Sequence, residues 1–205
     1  MKVLNEAPKL VLVLDRPRFP ESMWSFLPEL GDVADAVLVR DQEGSPRDLI
    51  RLAERVRTLA PQLPLWIHGR LEVALALDAE GLHLPANHLP ADRMRAWWPG
   101  RLSASAHDGG EAWVHRGADV LIWGHTFVTR SKPGLTPRRT TALNEVQRVA
   151  SCPILAIGGI NSGNVARLAG WGLTGVAVAD GIWCTANPAE AARHIRATIR
   201  NVGWQ

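Results

Sequence analysis

The chain has no tyrosine, only three lysines and only two cysteines in its 205 residues. Cys152 and Cys184 cannot make a disulfide framework, and no Cys-x-x-Cys pair offers a zinc site. They read as small core residues of a reducing compartment. The net charge is only +3, and no basic run is longer than Arg138-Arg139. A nucleic-acid binder of this size would show a basic stripe, so that partner class is excluded. Long hydrophobic runs are also missing. Leu10–Leu14, between Lys9 and Asp15, is too short for a signal segment or a spanning helix. The expectation is a cytoplasmic protein with no membrane partner. A dinucleotide-binding fold would place Gly-x-Gly-x-x-Gly after the first strand, where this chain has Asp15-Arg16-Pro17-Arg18.

The remaining composition is ordinary for a globular chain, at 46% hydrophobic and 21% charged. Eight short apolar runs recur: Lys9–Asp15, Ala36–Asp41, Leu63–Gly69, Gly81–Pro85, Arg101–His107, Val120–Thr126, Pro153–Ile160 and Gly175–Ile182. Helical patterns separate them: Glu21–Leu27, Pro46–Leu59, Leu71–Leu77, Pro90–Trp98, Gly109–Arg116, Thr140–Ala150, Ser162–Trp171 and Pro188–Arg200. Ser45 with Pro46, and Asn187 with Pro188, are helix starts. Alternation of this kind predicts parallel βα units. Eight of them fit a compact α/β (β/α)8 TIM barrel near the short limit of its kind, and one domain over residues 1–205. Trp66, Trp98, Trp113, Trp123 and Trp183 read as core or interface fillers.

In such a barrel the chemistry lies at the C-terminal strand ends. Those ends hold Arg40, His68, His83, Ser105, His107 and His125, with His88 in the loop after the fourth strand. Several histidines converging on one rim point to an active site. Gly158-Gly159 and Gly181-Ile182 end the last two strands, where backbone N–H groups can approach a phosphate. Thr129, Ser131 and Lys132 lie on a loop able to close over an anion. His125 can act as a general acid or base near neutral pH.

Gly81-Leu82-His83-Leu84-Pro85, Ser105-Ala106-His107, Ala118-Asp119 through Lys132, and Ala156–Ile160 resemble the thiamine phosphate synthase/thiazole tautomerase family. The resemblance implies a (β/α)8 barrel, a small phosphorylated thiazole-type substrate and a homo-oligomer. It offers two activities. The synthase joins a pyrimidine diphosphate to a thiazole phosphate with help from Mg2+; the tautomerase moves a proton to aromatise a thiazole carboxylate phosphate. The synthase pattern wants Mg2+ carboxylates where this chain has Gly69 and His88, and a lysine where it has Gln42. Gly124-His125 and Lys132-Pro133-Gly134-Leu135 resemble the tautomerase branch. The expectation is therefore a tautomerase-type isomerase with His125 as proton carrier and no cofactor. Arg40 would face the substrate carboxylate. The synthase, with Mg2+, is the alternative; a further one is a phosphate-ligand-binding or regulatory relative without catalysis. Asp180 stands where the resemblance implies a small hydroxyl residue beside the phosphate. A carboxylate there repels phosphate, so it is expected to turn toward Arg40 or another rim arginine, or the cup takes a different ligand.

Overall fold

A computed structural model describes residues 7–202 and Trp204. Eight parallel strands close into one barrel in chain order. They are β1 (Leu10–Asp15), β2 (Ala36–Arg40), β3 (Leu65–His68), β4 (Gly81–Leu84), β5 (Arg101–Ser105), β6 (Val120–Gly124), β7 (Ile154–Ile157) and β8 (Gly175–Val178). The helices are α1 (Leu27–Leu30), α2 (Pro46–Leu59), α3 (Leu71–Ala76), α4 (Ala91–Met94), α5 (Gly109–Val114), α6 (Thr140–Val149), α7 (Asp180–Trp183) and α8 (Pro188–Asn201). Short helices are what eight units in so few residues require. Among the described residues no helix is long and apolar enough to cross a membrane.

Strand parity divides the core in two. Side chains alternate across a strand, so every second residue points into the closed barrel. Val11, Val13, Leu38, Trp66, Ile122, Leu155 and Ala177 pack together inside. Leu10, Leu12, Leu14, Val37, Val39, Ile67 and Leu82 pack outward against the helices. Trp66 is the large interior filler, and its register partner on β4 is Gly81. A Cβ at Gly81 would lie 2.4 Å from the Trp66 ring, so the glycine makes the space that the indole occupies. Further up the barrel the inward positions turn polar: His68, His83, Ser103 and Ser105.

Several expected elements are cut short for identifiable reasons. The seventh run stops at Ile157 because Gly158 and Gly159 take positive φ values of 103° and 66°. The eighth run ends at Val178, and Asp180 begins α7 instead of extending the strand. The expected helix over Ser162–Trp171 is only a 3-10 turn, Val165–Leu168, closed off by extended Ala169 and positive-φ Gly170. The expected helix starts are present. Ser45 and Asp48 form a reciprocal capping box on α2, and Asn187 accepts from the Glu190 amide on α8. Of the two expected roles, core or interface, Trp113 does not take the core one: it is exposed, with the Arg116 guanidinium 4.6 Å from its ring centroid. Cys184 is exposed rather than core, while burial pushes the Cys152 thiol up to about 11.

The barrel is latched at its opposite, N-terminal end by one carboxylate. Asp35 Oδ2 accepts from the amides of Lys9 (2.7 Å) and Leu10 (2.9 Å), and Arg196 of α8 donates to Oδ1 at 2.8 Å. Removing the acceptor strands three donors. Asp35→Ala is expected to cost on the order of 2 kcal/mol in urea or thermal unfolding. A loss within about 0.5 kcal/mol, the range of a plain surface change, would contradict that role.

Candidate active site

The C-terminal strand ends enclose a cavity of about 440 Å³. Parity explains its lining. The uppermost inward residues, Asp15, Arg40, His68, His83, Ser105, Gly124, Ile157 and Ala179, all face it.

The β3–β5 side is a bank of neutral imidazoles. His83 is buried, with Nδ1 at 2.9 Å from Ser103 Oγ and Nε2 at 3.0 Å from Ser105 Oγ. Both hydroxyls can donate or accept, so a neutral ring is satisfied on both nitrogens. Burial pushes its pKa well below the usual histidine value, and the neighbouring His68 adds to this. The His68 ring lies 5.3 Å from that of His83. Burial, then the charge of Arg40, lowers His68 to about 4. His107 is held by Glu111, whose Oε2 lies 2.7 Å from both the ring Nδ1 and the backbone amide. Burial lowers the His107 pKa, opposed by this carboxylate.

The loop after β6 supplies cations. Thr126 donates its amide and its hydroxyl to the Ile157 carbonyl, and the Phe127 amide donates to Gly158. These bonds pin the loop base to β7. Beyond them Thr129 and Ser131 pair through their hydroxyls at 3.0 Å, and Lys132 and Arg130 line the cavity. Burial lowers the Lys132 pKa, and Arg138 lowers it further. His125 is buried, and its Nε2–H donates to the Leu135 carbonyl at 3.3 Å.

The β7–β8 side forms the cup. Gly158, Gly159, Ile160 and Gly181 line it. A Cβ at Gly159 would meet the Val128 carbonyl at 2.3 Å, and one at Gly181 would meet the Ile160 carbonyl at 2.0 Å. Only glycine lets these backbones approach so closely. Asn164 Nδ2 donates to the Gly159 carbonyl at 2.8 Å and steadies the turn. Ile182 must be removed from the expected phosphate ligands. Its side chain is fully buried and its amide already donates to the Ala179 carbonyl at 2.9 Å. An amide that closes the first turn of α7 has no donor left for a ligand.

The remaining expected residues fall as follows. Arg40 lines the cavity but is already held by Asp15, at 2.5 Å, and by Gln42. Asp180 turns to Arg18, not to Arg40. His88 sits in the β4–α4 loop outside the cavity lining, and Gly69 offers only backbone there, donating to the His83 carbonyl. Arg18, Asp15, Arg130 and Glu111 were missed. Asp15 and Arg18 lie at or within three residues of the end of β1, which is the signal that could have found them.

The rim thus joins a glycine-lined turn, a bank of imidazoles and a loop that carries cations. The family described as thiamine monophosphate synthase matches residues 18–182. The chain belongs to this family. It is 35% identical over 172 residues to a thiamine-phosphate synthase of Chloroflexus aurantiacus, covering 81% of this chain and 80% of that one. A thiamine-phosphate synthase of Pyrococcus abyssi is 29% identical over 203 residues, 97% of this chain and 98% of its own. The structure of a thiamine phosphate pyrophosphorylase from Pyrococcus furiosus superposes with a TM-score of 0.81 at 25% identity, over 95% of this chain and 96% of that one. The tautomerase-type isomerase expected from the sequence is overturned by these relatives, which carry the synthase name over most of the chain. The loop around Lys132 and the Gly124-His125 pair do not by themselves separate the two branches of the family.

The Mg2+ that the synthase resemblance implies does not fit the donors present. Gly69 has no ligand, His88 brings nitrogen rather than the oxygen a hard cation takes, and the nearby carboxylates Asp15, Asp41 and Asp180 each face an arginine. Among the described residues no three His, Cys, Asp or Glu side chains are grouped to hold a metal.

The imidazole bank has a consequence for pH. His68 and His83 are neutral when folded and protonate near 6.5 when unfolded, so the unfolded chain binds more protons between about pH 4 and 6.5. Stability therefore rises with pH through this window and is lost as pH falls through it. Each imidazole contributes up to about 1.4 kcal/mol per pH unit. His68→Gln is expected to flatten that slope in urea titrations across the window. An unchanged slope would contradict the neutral assignment.

Proposed function

We propose that this protein is a thiamine-phosphate synthase-type transferase, joining a pyrimidine diphosphate to a thiazole phosphate. The observation that carries the reading is family membership over residues 18–182, together with relatives of that name covering nearly the whole chain. The cavity is consistent with it. Gly158, Gly159 and Gly181 supply a backbone cup for the thiazole phosphate. His68, His83, Ser105 and His107 give the heterocycles an uncharged hydrogen-bonding wall. Arg40, Thr129, Ser131 and Lys132 lie where the diphosphate would be met.

In this reaction the carbon–oxygen bond to diphosphate breaks and its electron pair leaves with the diphosphate. The thiazole nitrogen supplies the pair for the new carbon–nitrogen bond. No proton has to change carbon, so the reading needs no proton carrier at His125. Its role here is to anchor the β6–α6 loop through the Leu135 carbonyl. The charge growing on the leaving group must be met by fixed cations. Lys132 is suited to this: among the described residues no carboxylate forms an ion pair with it, and it is partly desolvated. Self-association belongs to the same reading, supported by the exposed Leu89, Trp97 and Trp113 on the outer face.

Diphosphate release and thiamine phosphate formation from the two substrates test the reading directly. Lys132→Met is expected to lower kcat/KM roughly ten- to a hundredfold, the worth of a charge-assisted contact. Absence of both products at saturating substrate would overturn the synthase reading. Tight binding of the thiazole phosphate without turnover would favour the non-catalytic relative, whose support is the misfit of the metal donors.

A further inference from the structure

Arg18 and Asp180 form an ion pair at the cup side of the cavity that the proposed reaction does not by itself require. Arg18 ends the 3-10 turn Arg16–Arg18 directly after β1, and Asp180 opens α7 directly after β8. β1 and β8 are the strands whose pairing closes the barrel, so residues far apart in sequence become neighbours. Their side chains are 26% and 23% exposed, and both line the same cavity as Gly158, Gly159 and Gly181.

The two loops do not depend on this pair to stay together. Phe19, next to Arg18, packs edge-on against Trp183 of α7, with ring centroids 4.9 Å apart. Trp183 Nε1 donates to the Val13 carbonyl at 2.7 Å, tying α7 to β1. An apolar contact and a buried hydrogen bond already fix the loops, which leaves a charged pair at the mouth of a phosphate cup to be explained.

Alone, Asp180 would repel a phosphate held beside Gly181. With Arg18 against it the pair is neutral as a whole, yet directional. The carboxylate is met through Nη2 of the guanidinium. A guanidinium carries five N–H donors, so others remain for a second anion. The geometry points to Arg18 as a phosphate ligand of this cup, with Asp180 as the positioning residue that orients its guanidinium. The site thereby selects the phosphorylated thiazole over the unphosphorylated alcohol. This rests on the synthase reading for the identity of the ligand, but not for the presence of a phosphate subsite.

The experiment is calorimetric binding of the thiazole phosphate and of its alcohol, on the full chain, with turnover measured in parallel. Arg18→Ala is expected to weaken the phosphate ligand roughly ten- to a hundredfold and leave the alcohol unchanged. The carboxylate is then uncompensated, so Arg18→Ala/Asp180→Ser is expected to recover a substantial part of the loss. Arg18→Gln, which keeps the length and a donor, serves if the alanine variant melts early. Equal weakening of both ligands, or a double variant no better than Arg18→Ala, would overturn the inference. Wild-type binding that depends on Arg18 without any turnover would overturn the synthase reading and leave the phosphate subsite standing. Normal turnover with an indifferent Arg18 would do the reverse.

Discussion

Closing eight short parallel strands on themselves leaves every second residue no place but the barrel interior. The architecture follows from how that constraint is met. At the lower levels the inward residues are apolar, and Trp66 fills space that Gly81 vacates. At the upper levels the same parity presents Asp15, Arg40, His68, His83 and Ser105 to one cavity. The site is thus an upward continuation of the core. A residue two positions along the same strand is packing, and the next one up is chemistry.

Burial on the rim is tolerable only because its polar groups are neutral or compensated. His83 is neutral between two serine hydroxyls, and His68 is kept neutral by burial beside the Arg40 charge. Three carboxylates at the strand ends each face an arginine, Asp15 with Arg40, Asp41 with Arg16 and Asp180 with Arg18, while Glu111 holds His107. Arg130 and Lys132, which among the described residues form no ion pair with a carboxylate, both line the cavity from one element, the β6–α6 loop. An anionic substrate entering the cavity meets its attraction on that loop and on the guanidinium faces that the carboxylates leave open.

Period and punctuation made the fold legible. Alternating apolar runs counted the eight units, and Ser45-Pro46 and Asn187-Pro188 marked real helix starts. Gly158-Gly159 marked the cup because only glycine tolerates those φ values and that closeness to the Val128 carbonyl. What stayed hidden depends on closure. Arg18 and Asp180 are separated by nearly the whole chain and meet only because β8 pairs with β1. Ile182 looked available until α7 used its amide internally. The branch of the family was misread for a different reason. Gly69, His88 and the Lys132 loop report on the local site, whereas the synthase name rests on similarity over most of the chain, which no single motif displays.

Two of the departures from the family pattern are neutral in sum. Two carboxylates holding one divalent cation sum to zero charge, and so do the Gly69 and His88 that stand in their places when His88 is neutral. Replacing one set by the other leaves the net field on an anion little changed but removes a concentrated double charge from the β3–β4 side. The substitution of Asp180 with its partner Arg18 is likewise neutral in sum, and it adds a directed cation face on the β8–β1 side. Among the cavity-lining residues four Lys or Arg stand against two carboxylates, so the excess is positive. The positive charge lining the cavity lies away from the imidazole bank, on Arg18, Arg40 and the loop that carries Arg130 and Lys132. A wall of neutral, hydrogen-bonding imidazoles offers an anion no charge, so burial of His68 and His83 leaves any attraction for one to the cations across the cavity.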